Sequence, residues 1–192
     1  MTGEPPSDAP MPLGSVVPRL LAGLAVLTAA VAVAGNWLRA PLTAGATAAL
    51  AWTGPPGLAL LTFGCEPIPG VGFQVALALG VVGGASPIGL FLLVAPASFA
   101  AALATYAVGR GARSAGPLRT ALSRSGTLAA LDRWGARALY AAAVLPLPYS
   151  LAVLAHAAGG GDLATLVRSA LLRWLKIAAM LAALQLGWAL GA

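Results

Sequence analysis

Long apolar runs, separated by short polar or prolyl intervals, make up almost the whole chain. Residues 17–38, 42–63 and 86–108 are each long enough to cross a bilayer as an α-helix, which takes about 20 residues. The last apolar run, residues 163–190, is longer still. A glycine- and proline-rich interruption at residues 53–57 predicts a kink or an early helix end. The pattern predicts an all-α integral membrane protein with several spanning helices.

Two further apolar stretches are interrupted by pairs of prolines. The interruptions are Glu66-Pro67-Ile68-Pro69-Gly70 and Leu145-Pro146-Leu147-Pro148-Tyr149. Each pair removes two backbone donors within three residues. Such a break persists at bilayer depth only where protein or a water-filled cavity shelters it. We therefore expect two re-entrant hairpins, near residues 66–84 and 138–159.

The two interruptions align when the chain is shifted by seventy-nine positions, which predicts an internal repeat. The aligned pairs include Pro67 with Pro146, Pro69 with Pro148, and Gly80 with Gly159. Broken helices at matching positions of two halves indicate a transporter's binding site near the middle of the membrane. The alternative is a pair of ordinary prolyl loops in a small helical bundle. The predicted organisation is a disordered tail (1–14), N-terminal membrane helices (15–64) and a core (65–192).

Composition supports the membrane assignment and argues against other classes. The 192 residues are 59% hydrophobic and only 8% charged, whereas soluble domains have about 25% charged residues. The single cysteine, Cys65, excludes an internal disulfide. The sequence lacks a Ser/His/Asp set, a metal-spaced group of His and Cys, and a phosphate-binding glycine loop. We therefore expect no enzymatic activity and no metal.

The net charge of +6 comes largely from one arginine-rich interval. Six arginines and a single acid lie between residues 110 and 137. Leucines in this interval are spaced as in an amphipathic surface helix, and clustered arginine between spans follows the positive-inside rule. Nucleic acid is therefore not an expected partner. Arg168, Arg173 and Lys176 lie in the first half of the last helix, which we expect near the cytoplasmic interface.

Glu66 is the acid with the strongest claim to a function. It is the only acid between Asp8 and Asp132, and a charge at bilayer depth costs about 3 kcal/mol on insertion scales. It is expected to bind a cation, to carry a proton, or to pair with an arginine such as Arg110 or Arg173. The alternative is an interfacial Glu66 that ends a helix among the headgroups.

Several of these segments resemble the DedA superfamily, also called the VTT or SNARE-associated Golgi protein domain. The resemblance lies in Glu66-Pro67-Ile68-Pro69-Gly70, Tyr106-Ala107-Val108-Gly109-Arg110, Pro146-Leu147-Pro148 and Arg173-Trp174. It covers about residues 60–180. It implies two inward-pointing hairpins that meet near the membrane centre. It also implies translocation of undecaprenyl phosphate or phospholipid between leaflets, in the bacterial inner membrane.

The chain departs from the family pattern at charged positions. The family's second hairpin typically contains Arg-Phe-x-Pro-x-x-Arg, and Ala143 and Tyr149 stand where those two arginines would be. An acid often precedes the family's tyrosine by four residues, and here that residue is Ala102. The resemblance therefore implies a divergent member that moves a lipid or another amphiphile.

The resemblance also assigns a pathway for substrate or ion. Its expected residues are Glu66, Pro67, Pro69, Gly70, Tyr106, Arg110, Pro146, Pro148, Tyr149 and Arg173. The expected partner is membrane lipid, without a cofactor; coupling to protons or sodium and assembly into a homo-oligomer are left open. The alternative function is a non-transporting membrane scaffold or assembly factor, because a protein that no longer moves phosphates would not need the missing arginines.

Overall fold

A computed structural model describes residues 13–68, 72–112, 136–145 and 147–191. These residues form α1 (Leu13–Cys65), α2 (Gln74–Val82), α3 (Pro87–Ala112), α4 (Ala136–Val144), α5 (Tyr149–Ala158) and α6 (Leu163–Leu190). No strand occurs within these ranges, and the predicted all-α fold is confirmed. Most of the predicted N-terminal tail and of the predicted amphipathic surface helix lies outside the described residues.

Three helices among the described residues are long and apolar enough to cross a membrane. They are Leu21–Cys65 within α1, Pro87–Gly111 within α3, and Leu163–Leu190. The latter two match the spans predicted at residues 86–108 and 163–190. The first merges the two spans predicted at 17–38 and 42–63 into one helical run. The polar residue between those spans, Arg39, is a good helix former and lies within α1, and its guanidinium packs over the ring of Trp188, 5.0 Å from the ring centroid.

The interruption predicted at residues 53–57 is present as a kink in α1. Gly54 has φ 63° and ψ −175°, well outside the helical region. Pro55 and Pro56 follow at the start of the next helical turn, where a missing backbone donor is tolerated. The part of α1 after the kink buries Leu58 and Thr62 and ends directly before Glu66.

Three short helices adjoin the two prolyl interruptions. The helices α2, α4 and α5 have 9, 9 and 10 residues. At 1.5 Å per residue they are about 15 Å long at most, roughly half the hydrocarbon thickness. Pro69, Gly70 and Pro146 themselves lie outside the described residues. The helix breaks are confirmed, and the re-entrant course of residues 66–84 and 138–159 stays a prediction.

The turns after α2 and α5 share one hydrogen-bonded geometry. Gly84 and Gly160 lie at φ 78° and φ 88°, a left-handed conformation that favours glycine. The closing bonds run from Ala85 N–H to Gly80 O and from Gly161 N–H to His156 O, each 2.8 Å long. Both turns are therefore Schellman caps, and each places the start of the next long helix three residues after the left-handed glycine.

This geometry corrects the alignment of the predicted repeat. The shift of seventy-nine pairs Gly80 with Gly159, but Gly80 lies inside α2 whereas Gly159 caps α5. The cap of α2 is Gly83, so the two helix ends correspond at a shift of seventy-six. Position 80 favours glycine for a different reason: the side chain of Leu90 packs where a Cβ would lie. A single repeat over both segments is not shown.

The helix α6 is central to the packing. It contacts α1, α2, α3 and α4, while α3 also packs against α5. One buried apolar cluster joins α1, α2, α3 and α6 around Phe73 and Ile177. A second joins α3, α4, α5 and α6 around Val153 and Leu166. Since α6 belongs to both clusters, its side chains are placed to meet both prolyl segments.

Asp162 caps the N-terminus of α6. Its carboxylate accepts hydrogen bonds from the hydroxyl and the backbone N–H of Thr165, each 2.7 Å long. These bonds, the hydroxyl's first, lower the pKa of the Asp162 carboxyl. Because the folded-state pKa lies below the unfolded value of about 4, the stabilisation is complete above that value. It is lost as the pH falls through the folded-state pKa.

We expect Asp162→Ala to lower the midpoint of thermal unfolding at neutral pH, because the first turn of α6 loses its acceptor. The difference from the native protein should shrink in acid below the folded-state pKa of Asp162, to about the difference between Asp162→Asn and Asp162→Ala, because the neutral carboxyl is then a weaker acceptor. Asp162→Asn keeps a neutral acceptor and should fall between the two. Thermal unfolding in detergent, followed over a pH series, measures all three proteins. An Asp162→Ala defect of equal size at every pH would contradict the assignment of the cap.

Candidate functional site

Glu66 and Arg173 form a buried ion pair. Arg173 Nη2 donates to Glu66 Oε1, and the two side chains are 7% and 2% exposed. Glu66 stands at the end of α1, with its N–H still bonded to Thr62 O at 3.0 Å, and Pro67 prevents the helix from continuing. Of the two arginines that the sequence offers as a partner, the structure pairs Glu66 with Arg173 and not with Arg110.

The two oxygens of the Glu66 carboxylate have different surroundings. Ser98 on α3 donates to the same Oε1 that Arg173 binds, at 3.1 Å. The other oxygen, Oε2, is buried without a hydrogen-bond partner among the described residues, and so is Gln74 Oε1. Glu66 Oε2 and Gln74 Oε1 both lie beside Gly72. A Cβ at Gly72 would be 3.3 Å from Glu66 Oε2 and 2.8 Å from Gln74 Oε1. One carboxylate oxygen is therefore held by two side-chain donors, and the other has no side-chain donor among the described residues.

Arg173 lies between two aromatic rings. Its guanidinium carbon is 4.3 Å from the ring centroid of Tyr149 and 5.0 Å from that of Phe73. Cations within about 6 Å of a ring centroid are stabilised by the ring face. Tyr149 also shares a hydrogen bond of 2.9 Å with Ser169, one turn before Arg173 on α6. Because Phe73 directly precedes α2 and Tyr149 begins α5, Arg173 contacts the chain after each prolyl interruption.

Lys176 lies one turn beyond Arg173 on the same face of α6. Its Nζ donates to Leu145 O at 2.6 Å. This carbonyl directly follows α4 and is one of those that a helix end leaves without a helical donor. We call the set Glu66, Ser98, Tyr149, Ser169, Arg173 and Lys176 the buried polar cluster. It brings the two prolyl segments together at α6.

The buried polar cluster contains one carboxylate and two basic side chains. Within the described ranges the acids are Glu66 and Asp162, and Asp162 is exposed at the start of α6. Lys176 is bonded to a neutral carbonyl, so the cluster has an excess positive charge when all three groups are ionised. A buried charge is expensive unless an opposite charge or strong acceptors accompany it. The arrangement therefore favours a negatively charged ligand.

Tyr106 and Arg110 do not belong to this cluster. The Tyr106 hydroxyl donates to Gly161 O at 2.8 Å, and its ring centroid is 6.5 Å from that of His156. The exposed Arg110 lies over the Tyr106 ring, with its guanidinium carbon 6.0 Å from the ring centroid. His156 is buried, and its Nε2 lies 3.1 Å from Asp162 O. These contacts fasten the turn between α5 and α6 to α3.

The prolines of the predicted pathway are described only in part. Pro67 and Pro148 are exposed, and Pro148 is extended at φ −70° and ψ 93°, directly before α5. Ser150 Oγ lies 3.5 Å from Pro67 O, long for a hydrogen bond, and links the two segments. Pro69, Gly70 and Pro146 lie outside the described residues.

Sequence reasoning missed three members of the cluster, Ser98, Ser169 and Lys176, and also Phe73, whose ring packs against Arg173. Ser98, Ser169 and Phe73 gave no signal, because single small polar or aromatic residues are common in apolar helices. Arg173 is buried and Lys176 is partly buried within the protein, whereas Arg168 is exposed. The expected position of these three residues near the cytoplasmic interface stays a prediction. The three-residue spacing of Arg173 and Lys176 was the available signal, since it places both on one helix face.

An apolar cavity of about 290 Å³ lies beside the Glu66 end of α1, between α1, α3 and α5. Phe63, Pro67, Ala101, Ser150 and Leu154 are among the residues that line it. No group of three His, Cys, Asp or Glu side chains that could hold a metal gathers in the described part of the chain. The geometry thus combines a charged cluster with an adjacent apolar space.

The structure describes both positions at which the DedA family typically has an arginine in its second hairpin. Ala143, where the DedA family has an arginine, is fully buried, and Tyr149, at the second such position, is covered by Arg173 from α6. Comparisons with family models, curated proteins and solved structures give no match for this chain. The resemblance to the DedA superfamily therefore stays a prediction that rests on the motifs in the sequence.

Proposed function

We propose that this chain is a divergent DedA-type membrane transporter that moves an anionic lipid or amphiphile between leaflets. The observation that carries the proposal is the meeting of both prolyl segments with α6 at the buried polar cluster. Lipid translocation needs a polar site for the headgroup while the hydrocarbon chains stay in apolar surroundings. The cluster offers the first, and the apolar cavity between α1, α3 and α5 offers the second. Enzymatic activity and a bound cofactor have no part in the proposal.

Lys176 is the residue that we assign to the headgroup. Its bond to Leu145 O joins a charged donor to a neutral acceptor, and a phosphate oxygen would be the stronger acceptor. Glu66 holds Arg173 in place between its two aromatic rings. The prolyl segments contribute backbone carbonyls outside regular helix, such as Pro67 O and Leu145 O. Glu66 Oε2, which has no side-chain donor among the described residues, offers a place where a proton or sodium ion would couple to transport.

The test is translocation in liposomes. The native protein should move fluorescent phosphatidylglycerol or radiolabelled undecaprenyl phosphate faster than protein-free liposomes do. Lys176→Gln keeps a donor for Leu145 O but removes the charge, and should slow translocation of the anionic lipids about tenfold, equivalent to roughly 1.4 kcal/mol of lost stabilisation. Phosphatidylcholine, which is zwitterionic, should be affected less. Arg168→Gln removes the same charge from an exposed position of α6 and should keep the native rate.

Three outcomes would count against the proposal. Equal rates for the native protein and Glu66→Gln would remove Glu66 from the mechanism. Equal loss in Lys176→Gln and Arg168→Gln would show a general effect of net charge. Failure of the native protein to move phosphatidylglycerol, phosphatidylcholine and undecaprenyl phosphate would contradict lipid transport as a whole.

A non-transporting scaffold or assembly factor is the second candidate. It is favoured by the loss of both family arginines, at Ala143 and Tyr149, and by the complete burial of Ala143. The ion pair of Glu66 with Arg173 would then serve only to fix the helices, a role that buried pairs have in some proteins. Under this function the liposomes show no translocation, while the folded protein still co-purifies with a membrane partner that Lys176→Gln retains.

A further inference from the structure

A second basic side chain, at the other end of α6, has no counter-charge among the described residues. The guanidinium of Arg39 packs over Trp188, and its Nη1 is buried without a hydrogen-bond partner among the described residues. The described acids, Glu66 and Asp162, are engaged elsewhere. Trp188 follows Arg173 by fifteen residues, about 22 Å along the helix axis. Arg39 therefore belongs to a different site from the buried polar cluster.

The Arg39 side chain lines a polar cavity of about 490 Å³. Thr43 on α1, Gln185 on α6 and Ser86 before α3 line the same cavity and supply further polar groups. Ser86 Oγ accepts from Gly89 N–H at 3.0 Å, which leaves its hydroxyl hydrogen for another acceptor. A cation surrounded by hydroxyl and amide donors is the arrangement that recognises phosphate or carboxylate.

A larger apolar cavity of about 540 Å³ adjoins the polar one. The two share Val81, Val82 and Trp188 as lining residues, so they meet along one wall. Side chains of α1, α2 and α6 form the apolar cavity, with Leu42 and Leu184 among them. A free anion would fill only the polar part of this space. An amphiphile with a charged head and a hydrocarbon chain fills both parts.

The place of this site along α6 agrees with the depth of a lipid headgroup. The 28 residues of α6 extend about 42 Å, beyond the roughly 30 Å hydrocarbon core. Trp188 is near the end of the helix, and tryptophan is enriched at the level of the headgroups. The polar cavity at Arg39 and Gln185 is then near that level. At this depth the apolar cavity next to it would adjoin the hydrocarbon.

We propose that these adjoining cavities bind one anionic membrane lipid, with its headgroup on Arg39 and an acyl chain in the apolar cavity between α1, α2 and α6. The site requires only that the protein is embedded in a membrane. It is independent of translocation at the buried polar cluster. A retained lipid at this position joins α1 to α2 and α6 and gives Arg39 the counter-charge that no described residue supplies.

Lipid retention by the purified full chain in detergent tests this site. Native mass spectrometry should show binding of phosphatidylglycerol about 5- to 10-fold tighter than of phosphatidylcholine with the same chains, as expected for about 1 kcal/mol per basic group or slightly more. Arg39→Gln should remove this preference and Arg39→Lys should retain most of it. Arg137→Gln, an exposed charge on α4, is the matched control and should bind as the native protein does.

A second variant tests the apolar part without touching the charge. Gly45 lines the apolar cavity, and a Cβ there would meet nothing within 4 Å. The leucine side chain in Gly45→Leu should occupy the cavity and weaken the binding of both lipids alike. Gly23→Leu, at another open position of α1, should bind both lipids as the native protein does. Equal affinity of the native protein for the two phospholipids would overturn the proposal. Displacement of phosphatidylglycerol by millimolar inorganic phosphate would instead assign the site to free anions and would also overturn it.

Discussion

Replacement of Arg173 by methionine is expected to destabilise this protein by about 3–5 kcal/mol, the loss typical when one member of a buried ion pair is removed. Methionine fills part of the space and keeps the apolar stem, but it leaves the Glu66 carboxylate with Ser98 as its remaining side-chain donor. It also removes the cation from between the rings of Tyr149 and Phe73. The free energy of unfolding in detergent, measured by denaturant titration, gives the loss.

The double variant Glu66→Gln with Arg173→Met separates the ion pair from the packing. It replaces a buried pair by neutral groups, a change that is often neutral or stabilising, so most of the lost stability should return. The coupling energy from the double-mutant cycle should then be large and favourable. Arg168→Met, on the exposed side of the same helix, should stay within about 0.5 kcal/mol of the native protein. If the double variant lost as much stability as Glu66→Gln and Arg173→Met together, the two side chains would not be coupled.

The spanning helices could be predicted from the sequence because bilayer thickness fixes their length. The runs at residues 86–108 and 163–190 match α3 and α6, and the prolyl segments mark real helix breaks. The continuity of α1 could not be predicted. Arg39 and Pro41 separate the two predicted spans, yet both lie inside α1, where Arg39 packs over the ring of Trp188, a residue distant in sequence. A local pattern of polar and apolar residues contains no information about such a partner.

Part of the candidate site could be predicted because a single charge in an apolar stretch is costly and therefore suggests a function. Glu66 stood out for this reason, yet its choice of Arg173 over Arg110 depends on how α6 and α3 pack against the end of α1. The repeat shows a related limit. Identical prolines suggested a shift of seventy-nine, but helix length is set by the Schellman caps at Gly84 and Gly160, which correspond at seventy-six. Identical residues in the two segments therefore predicted where the helices break, but not how α2 and α5 align with each other.

Two glycines at the C-terminal end of α6 let α1 pack closely against it. Gly187 and Gly191 are four residues apart, the spacing that lets membrane helices approach closely. A Cβ at Gly187 would lie 2.5 Å from Thr28 O and 2.9 Å from Val31 Cβ on α1. At Gly191 a Cβ would lie 3.1 Å from Asn36 N. Backbone atoms cannot move aside as a flexible side chain can, so a larger residue has to push the helices apart.

We therefore expect Gly187→Leu to separate α1 from α6 and to destabilise the protein by about 1–3 kcal/mol, as overpacking does elsewhere. Hydrogen exchange should report the separation as a loss of protection at residues 28–36 of roughly tenfold or more, because that part of α1 loses its packing partner. Ala178→Leu adds a larger side chain at an exposed position of the same helix and should leave both quantities unchanged.

The same variant connects helix packing with the lipid site. Arg39 packs over Trp188, the neighbour of Gly187, so separation of the two helices should also remove the preference for phosphatidylglycerol while Arg39 itself is intact. Ala178→Leu should keep that preference. If Gly187→Leu exposes residues 28–36 to exchange and yet binds the anionic lipid as the native protein does, the headgroup cannot lie between Arg39 and α6. Joint loss of protection and lipid preference is the result that the geometry of α1 on α6 requires.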